Sequence, residues 1–208
     1  SPFPEYDDDE AVPWLASAVK SAWEPFPQPV RSSVPVNATV PAVAADQVEK
    51  VLARFGAVPA VKVKVAERGQ ILANDLERVS EVRRLLPDAG IKVDANGGWS
   101  VEEAVHALTL LSEYGLEYAE QPAADIPGLR AVRLELARRQ IPVPVAADES
   151  VRKESDPLLV AREDAADLLV VKVSPLGGVA RALEVVAEAG LPAVVSSALD
   201  TSVGIRAG

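Results

Sequence analysis

Several residue types that carry chemistry in other proteins are missing from this chain of 208 residues. It contains no cysteine, which excludes disulfides, zinc–thiolate sites and cysteine nucleophiles together. It has a single histidine, so a metal site would have to be built mainly from carboxylates. Hard oxygen ligands of this kind favour Mg²⁺ or Mn²⁺ over zinc or copper.

Positive charge and long apolar runs are also scarce. The chain has 21 basic and 31 acidic residues, and its net charge of −10 argues against a nucleic-acid partner, which needs a basic face. The same charge disfavours an anionic membrane surface, and no apolar run approaches the ~20 residues that span a bilayer. We therefore expect no nucleic-acid partner, no membrane partner and a cytoplasmic location.

Methionine is absent as well, and the chain opens abruptly at Ser1-Pro2-Phe3-Pro4. We therefore expect an internal piece of a longer protein. Its first part differs from the rest, because an acidic, proline-rich start is followed by helical spacing over 11–22 and by a second proline-rich segment. We interpret residues 1–30 as the tail of a separate helical domain with a stiff linker, and 31–208 as the main domain.

From Arg31 onward, short apolar runs alternate with helical periodicity. The predicted strands are 34–40, 60–65, 91–94, 116–120, 143–148, 168–173 and 191–196. The predicted helices are 45–55, 74–86, 100–114, 129–139, 157–164 and 178–189. This alternation predicts an α/β fold with a parallel sheet covered on both faces, and its near-constant period predicts a TIM-type (β/α)8 barrel whose last unit is missing. A doubly wound open sheet is the alternative, although its glycine-rich turn after the first strand is absent.

Charged residues recur at the ends of these apolar runs, at intervals of 24 to 30 residues. In chain order they are Lys64, Asp94, Glu120, Asp148 and Lys172. Because the carboxyl ends of barrel strands meet at one mouth, we expect the three carboxylates to supply oxygen ligands for Mg²⁺, with Mn²⁺ as a substitute. One aspartate at a strand end is as often a helix cap or a surface charge, but three in register between two lysines are hard to explain in that way.

Residues two positions apart share a face of a strand, which extends this set. Lys62 is expected beside Lys64, and two close ammonium groups are expected to depress each other's pKa, so that one can act as a base. The alternative is a solvated edge strand whose lysines face water. By the same spacing, Asn96 is expected beside Asp94.

Five motifs in this order resemble those of the enolase superfamily, in its muconate-lactonizing subgroup. They are Lys62-Val-Lys64, Asp94-Ala-Asn-Gly, Glu120-Gln-Pro, Asp148-Glu-Ser and Val171-Lys172-Val-Ser-Pro-Leu-Gly-Gly178. Three further runs are most similar to the o-succinylbenzoate synthases of actinobacterial type, namely 1–6, 174–179 and 196–199. The resemblance covers essentially the whole chain. It implies that 1–30 is the remnant of an α+β capping domain and that 31–208 is a barrel truncated before its last strand.

The resemblance implies a Mg²⁺-dependent lyase that converts 2-succinyl-6-hydroxy-2,4-cyclohexadiene-1-carboxylate to o-succinylbenzoate through an enediolate, in menaquinone biosynthesis. The implied metal ligands are Asp94, Glu120 and Asp148. The implied catalytic residues are Lys64, as base and then acid, and Lys172, whose charge faces the intermediate from the opposite side. The implied supporting residues are Lys62, which would lower the pKa of Lys64, with Asn96 and Glu149. The candidate contacts to a second substrate carboxylate are Gly177, Gly178, Ser196 and Ser197.

Two other functions stay open at this point. N-acylamino-acid racemase or dipeptide epimerase activity would use the same scaffold, with Lys64 and Lys172 exchanging protons on opposite faces of the substrate. A non-catalytic barrel that binds metal only for structure is the alternative of a different class, and two inward lysines speak against it. The expected partner is a small-molecule carboxylate, and the sequence leaves the oligomeric state open.

Overall fold

The computed structural model describes residues 7–153, 156–197 and 200–208. The motif run 1–6 and the Ala198-Leu199 part of the run 196–199 lie outside the described residues. The chain divides into two compact units. The strand unit is Ser33–Ala146, and the terminal unit combines Ser1–Ser32 with Ala147–Gly208.

The strand unit is a succession of parallel strands, each paired with the next one along the chain. These strands are β1 (Ala38–Val40), β2 (Ala60–Lys64), β3 (Gly90–Asp94), β4 (Leu116–Glu120) and β5 (Val145–Ala147), whose last residue belongs to the terminal unit. The helices between them are α2 (Val48–Leu52), α3 (Leu72–Leu85), α4 (Val101–Leu111) and α5 (Ile126–Arg138). Short 3-10 turns, Ala45–Gln47 and Ser112–Tyr114, precede α2 and follow α4.

The alternation of β2 separates its side chains onto two faces. Val61 and Val63 are fully buried on one face. Lys62 and Lys64 lie on the other, where their side chains are only 15% and 31% exposed. The alternative of an edge strand whose lysines face water is therefore wrong.

The terminal unit holds the remaining helices and strands. They are α1 (Asp8–Trp23), α6 (Glu149–Arg152), α7 (Leu159–Arg162), β6 (Leu168–Lys172), α8 (Val179–Ala189), β7 (Ala193–Ser196) and α9 (Ser202–Ala207). Two reciprocal hydrogen bonds form a capping box at the start of α1. The Asp7 carboxylate accepts from the backbone N–H of Glu10, and the Glu10 carboxylate accepts from the backbone N–H of Asp7. β6 pairs with β7 in parallel. Of the helices in the described ranges, none is long and apolar enough to cross a membrane.

The predicted elements agree with the observed ones except at their ends and in two short helices. β4 has the predicted bounds, whereas β1 begins at Ala38 rather than at residue 34. Pro35 lacks the N–H that a ladder requires, and its neighbours Val34 and Val36 are exposed. The helix α6 was not predicted, and for α9 the sequence indicates only that a helix begins near Gly208.

Candidate active site

A row of charged side chains crosses three neighbouring strands of the strand unit at their carboxyl ends. The register pairs Lys64 of β2 with Asp94 of β3, and Asp94 with Glu120 of β4. Each is the last residue of its strand, so all three reach the same edge of the sheet. Both carboxylates are 1% exposed. The structure thus brings together three of the five charged residues singled out by their spacing.

Lys64 makes two short contacts at this edge. Its Nζ donates to Asp94 Oδ2 at 2.6 Å and to Asn96 Oδ1 at 2.6 Å. The backbone N–H of Asn96 in turn donates to the other oxygen of Asp94, at 3.1 Å. Asn96 therefore fixes the amine and the carboxylate together, in the place that the two-residue spacing predicted.

Lys62 joins the two carboxylates. Its Nζ lies 3.1 Å from Glu120 Oε1 and 3.3 Å from Asp94 Oδ2. Burial alone would lower the pKa of Lys62, but the charges of Glu120 and Asp94 and the hydrogen bonds to them raise it above its ordinary value. Burial alone would raise the pKa of Asp94, and the charges of Lys62 and Lys64 bring it below its ordinary value. The pKa of Lys62 is therefore raised on balance, because its two carboxylate partners outweigh the effect of burial.

The loops after these strands have unusual backbone conformations. Ala66, Asn96 and Gln121 follow the three strand ends within two residues, and their φ angles are 60°, 47° and 41°. These values lie in the left-handed region, which residues other than glycine rarely adopt. Gly98 has no room for a side chain, because a Cβ there would lie 2.9 Å from the carbonyl oxygen of Ala66. The loops after β2 and β3 therefore pack against each other directly behind Lys64 and Asp94.

The donor chemistry of Asp94 and Glu120 fits a divalent cation. Both supply hard carboxylate oxygens, and both already share one cation, the ammonium of Lys62. Within 7–153, 156–197 and 200–208, however, no group of three or more acidic, histidine or cysteine side chains is arranged to hold a metal ion. The fit to Mg²⁺ therefore rests on the chemistry of these oxygens and on the cation that they share.

The terminal unit contains a second pair of a lysine and a carboxylate. Asp148 follows directly after β5, and Lys172 is the last residue of β6. Lys172 Nζ donates to Asp148 Oδ2 at 2.6 Å. On its other side, Asp148 Oδ1 lies 3.3 Å from Nε of Arg152 in an ion pair, and Nη2 of Arg152 donates to Glu149 Oε1 at 3.0 Å. Glu149 and Arg152 thus form one network with Asp148 and Lys172.

The four residues predicted to contact substrate lie in different surroundings within this unit. Ser196 pairs with Lys172 in the register of β6 and β7, and the adjacent Ser197 is exposed. Gly177 and Gly178 are buried beneath α1. A Cβ at Gly178, whose φ is 113°, would lie 3.4 Å from Lys20 Cδ. The positive φ angle is therefore the reason for glycine at this position, and α1 would meet a side chain there only at ordinary contact distance.

Sequence reasoning missed three charged residues close to the predicted ones. Lys92 pairs with Lys62 in the register, and its Nζ lies 5.6 Å from the ring centre of Tyr118. The two-residue spacing from Asp94 could have identified it. Arg152 lies one helical turn after Asp148, a spacing that could have identified it as well. Arg78 contacts the carbonyl of Lys64, and no local pattern indicates this contact.

Comparisons with known proteins show which proteins this chain is similar to. Residues 43–206 match the family model described as enolase C-terminal domain-like. The chain is 54% identical over 207 residues to the o-succinylbenzoate synthase of Mycolicibacterium smegmatis, covering 99% of this chain and 62% of that protein. It is equally identical to the o-succinylbenzoate synthase of Mycobacterium tuberculosis, of which it covers 61%. The chain thus spans about six-tenths of the length of the curated relatives that it matches.

Several solved structures are also similar to this chain. The L-Ala-D/L-Glu epimerase of Bacillus subtilis is similar with a TM-score of 0.71 at 28% identity, over 84% of this chain and 49% of that one. A mandelate racemase/muconate lactonizing enzyme of Roseiflexus gives a TM-score of 0.72 at 26% identity, over 94% of this chain and 54% of that one. These similarities confirm the predicted α/β fold class of the (β/α)8 barrel type.

Proposed function

The chain belongs to the enolase C-terminal domain-like family, and from this membership we propose that it is the barrel part of a lyase. The proposed reaction removes water from 2-succinyl-6-hydroxy-2,4-cyclohexadiene-1-carboxylate and gives o-succinylbenzoate. The curated relatives at 54% identity carry the name of this activity. The corresponding role is a step in menaquinone biosynthesis, in the cytoplasm.

One observation carries the proposal beyond the resemblance. Lys64, Asp94 and Glu120 end three adjacent strands in register, and the amine of Lys64 is held at 2.6 Å by both Asp94 and Asn96. A general base must be positioned before it can remove a weakly acidic proton, and this amine is positioned by two acceptors. A barrel that binds metal only for structure has no need for this arrangement.

The lysines divide the chemistry between them in this proposal. Lys64 Nζ takes the proton next to the substrate carboxylate and returns a proton to the departing hydroxyl, so that water leaves. Lys172, on a different strand and itself held by Asp148, offers its charge to the anionic intermediate. Lys62 stabilises the buried pair Asp94 and Glu120.

Members of this superfamily are generally Mg²⁺-dependent. We propose that Asp94, Glu120 and Asp148 hold Mg²⁺, or Mn²⁺ in its place. A bound divalent cation would supply the positive charge that offsets the charge left on the substrate carboxylate when the proton departs. Ser196 and Ser197, with the backbone of Gly177 and Gly178, remain the proposed contacts to a second carboxylate of the substrate.

The test is an assay of the full-length protein with the cyclohexadiene substrate, in Mg²⁺ and in EDTA. We expect o-succinylbenzoate to form in Mg²⁺ and its formation to stop in EDTA. A Lys64→Ala variant with the same circular dichroism spectrum serves as the matched control. Product formation at the wild-type rate by this variant would contradict the proposal.

A second candidate function is racemisation or epimerisation of N-acylamino acids or dipeptides. The observation that favours it is the structural similarity to the L-Ala-D/L-Glu epimerase of Bacillus subtilis, together with two lysines, each paired to its own carboxylate. Incubation with each enantiomer of an N-succinyl amino acid in deuterium oxide separates the two functions. Racemisation that outpaces dehydration would favour this second candidate.

A further inference from the structure

We propose that Arg78 and Asp75 are positioning residues for Lys64. Both lie on α3, one turn apart, and their side chains are almost completely buried. Arg78 Nη1 lies 2.8 Å from Asp75 Oδ1. The inference deepens the proposed function, because it rests on Lys64 acting as the base.

The pair binds the backbone on both sides of the end of β2. Arg78 Nη1 donates to the carbonyl oxygen of Lys64 at 2.8 Å. Asp75 Oδ2 accepts from the backbone N–H of Ala66 at 3.0 Å. These two groups flank Val65, whose own N–H donates to the carbonyl of Asp94 at 3.0 Å. The backbone that carries Lys64 is therefore fixed at three successive residues.

The backbone conformation of Ala66 depends on these hydrogen bonds. Its φ of 60° is left-handed and unfavourable for a residue with a side chain, so surrounding contacts must hold it in place. The hydrogen bond to Asp75 is one such contact, and Gly98 packs directly against the carbonyl of Ala66. Without the buried pair, we expect the turn to relax and Lys64 Nζ to move relative to Asp94 and Asn96.

Arg78 also fixes the loop that follows β1. Its Nε donates to the carbonyl of Val43 at 2.6 Å, and its Nη2 donates to the side chain of Gln70. Gln70 in turn donates to the carbonyl of Ala42 at 2.7 Å. A fully buried guanidinium with acceptors in three segments is costly to place, so we infer a role beyond simple packing.

The same helix supplies a matched control. Arg83, one and a half turns later on α3, binds the carbonyls of Tyr114, Pro87 and Ala89. Pro87 and Ala89 directly precede β3, so Arg83 acts at the opposite end of the strands. Its substitution removes a comparable set of hydrogen bonds without touching the end of β2.

The experiment combines hydrogen exchange with kinetics on the full chain. Amide exchange by mass spectrometry compares peptides over 63–67 and 87–91 in the wild type, Arg78→Met and Arg83→Met. We expect Arg78→Met to speed exchange in 63–67 about 10-fold or more, with little change in 87–91, and Arg83→Met to do the reverse. Asp75→Asn, which is isosteric, gives the same test if Arg78→Met does not fold.

The kinetic arm separates positioning from plain stability. We expect kcat for dehydration to fall about 100-fold in Arg78→Met with KM changed less than about threefold, and Arg78→Lys to recover part of it. Arg83→Met should keep kcat at temperatures where it is folded. Unchanged exchange in 63–67, or faster exchange with an unchanged kcat, would overturn the inference. If the wild type does not dehydrate the substrate, the proposed function fails, and the exchange data alone decide whether the pair fixes the end of β2.

Discussion

Removing the Lys62 ammonium should expose how strongly the site depends on a cation between Asp94 and Glu120. Lys62 Nζ lies within 3.2 Å of both oxygens of Glu120, which is 1% exposed. Without the Lys62 ammonium, Asp94 still pairs with Lys64 at 2.6 Å, so the lost ion pair affects mainly Glu120. Breaking a buried ion pair from one side costs about 3–5 kcal/mol, and we expect Lys62→Met to lose about 3 kcal/mol of unfolding free energy in EDTA.

A divalent cation should reverse most of this loss. In Lys62→Met, Mg²⁺ no longer competes with an ammonium for the two carboxylates. At about 100 times its Kd, a ligand that binds only the folded state adds about 2.7 kcal/mol of stability. Urea unfolding followed by circular dichroism, with EDTA and with Mg²⁺, measures both effects.

Lys92→Met is the matched control for this prediction. Lys92 lies opposite Lys62 in the register, but its carboxylate partner Glu117 is half exposed and 3.5 Å away. We expect a loss of about 1 kcal/mol and no recovery with Mg²⁺. Equal losses in the two variants, or a Lys62→Met protein that Mg²⁺ does not stabilise, would refute the reasoning.

Three further predictions concern turnover and packing. Asp148→Asn should abolish turnover in Mg²⁺ while the circular dichroism spectrum stays unchanged, and near-normal turnover would show that Asp148 is not a ligand. Lys64→Ala should abolish dehydration. Lys172→Ala should still exchange the α-proton of one enantiomer of an N-succinyl amino acid with deuterium. If each variant exchanged the α-protons of both enantiomers, the two lysines could not lie on opposite faces of the substrate. Gly98→Ala should lower the free energy of unfolding in urea by about 1–3 kcal/mol, because its Cβ would lie 2.9 Å from the carbonyl oxygen of Ala66. An unchanged free energy of unfolding would mean that the loop moves to make room for the Cβ.

The sequence predicted those parts of the fold and the site that follow from local periodicity. The alternation of Val61, Lys62, Val63 and Lys64 is enough to assign two faces to β2, and the structure has this arrangement. The charged residue at the end of each apolar run likewise follows from the period of one strand and one helix. Both predictions need only neighbours in sequence.

What could not be predicted depends on contacts between distant residues. The raised pKa of Lys62 comes mainly from Glu120, 58 residues away, and also from Asp94, whereas the spacing rule considered only the nearby Lys64. The contacts of Arg78 with the carbonyls of Val43 and Lys64 involve backbone atoms, which have no sequence signature. The packing of α1 over Gly177 and Gly178 depends on a helix that lies far away along the chain.

The left-handed residues behind the strand ends restrict how this site can be redesigned. Ala66, Asn96 and Gln121 hold conformations that β-branched side chains resist, so a library that randomises them would return few folded clones. Ser197, exposed at the end of β7, carries no such constraint. Directed evolution toward new substrates would therefore accumulate changes around β7 and leave the turns behind Lys64, Asp94 and Glu120 almost untouched.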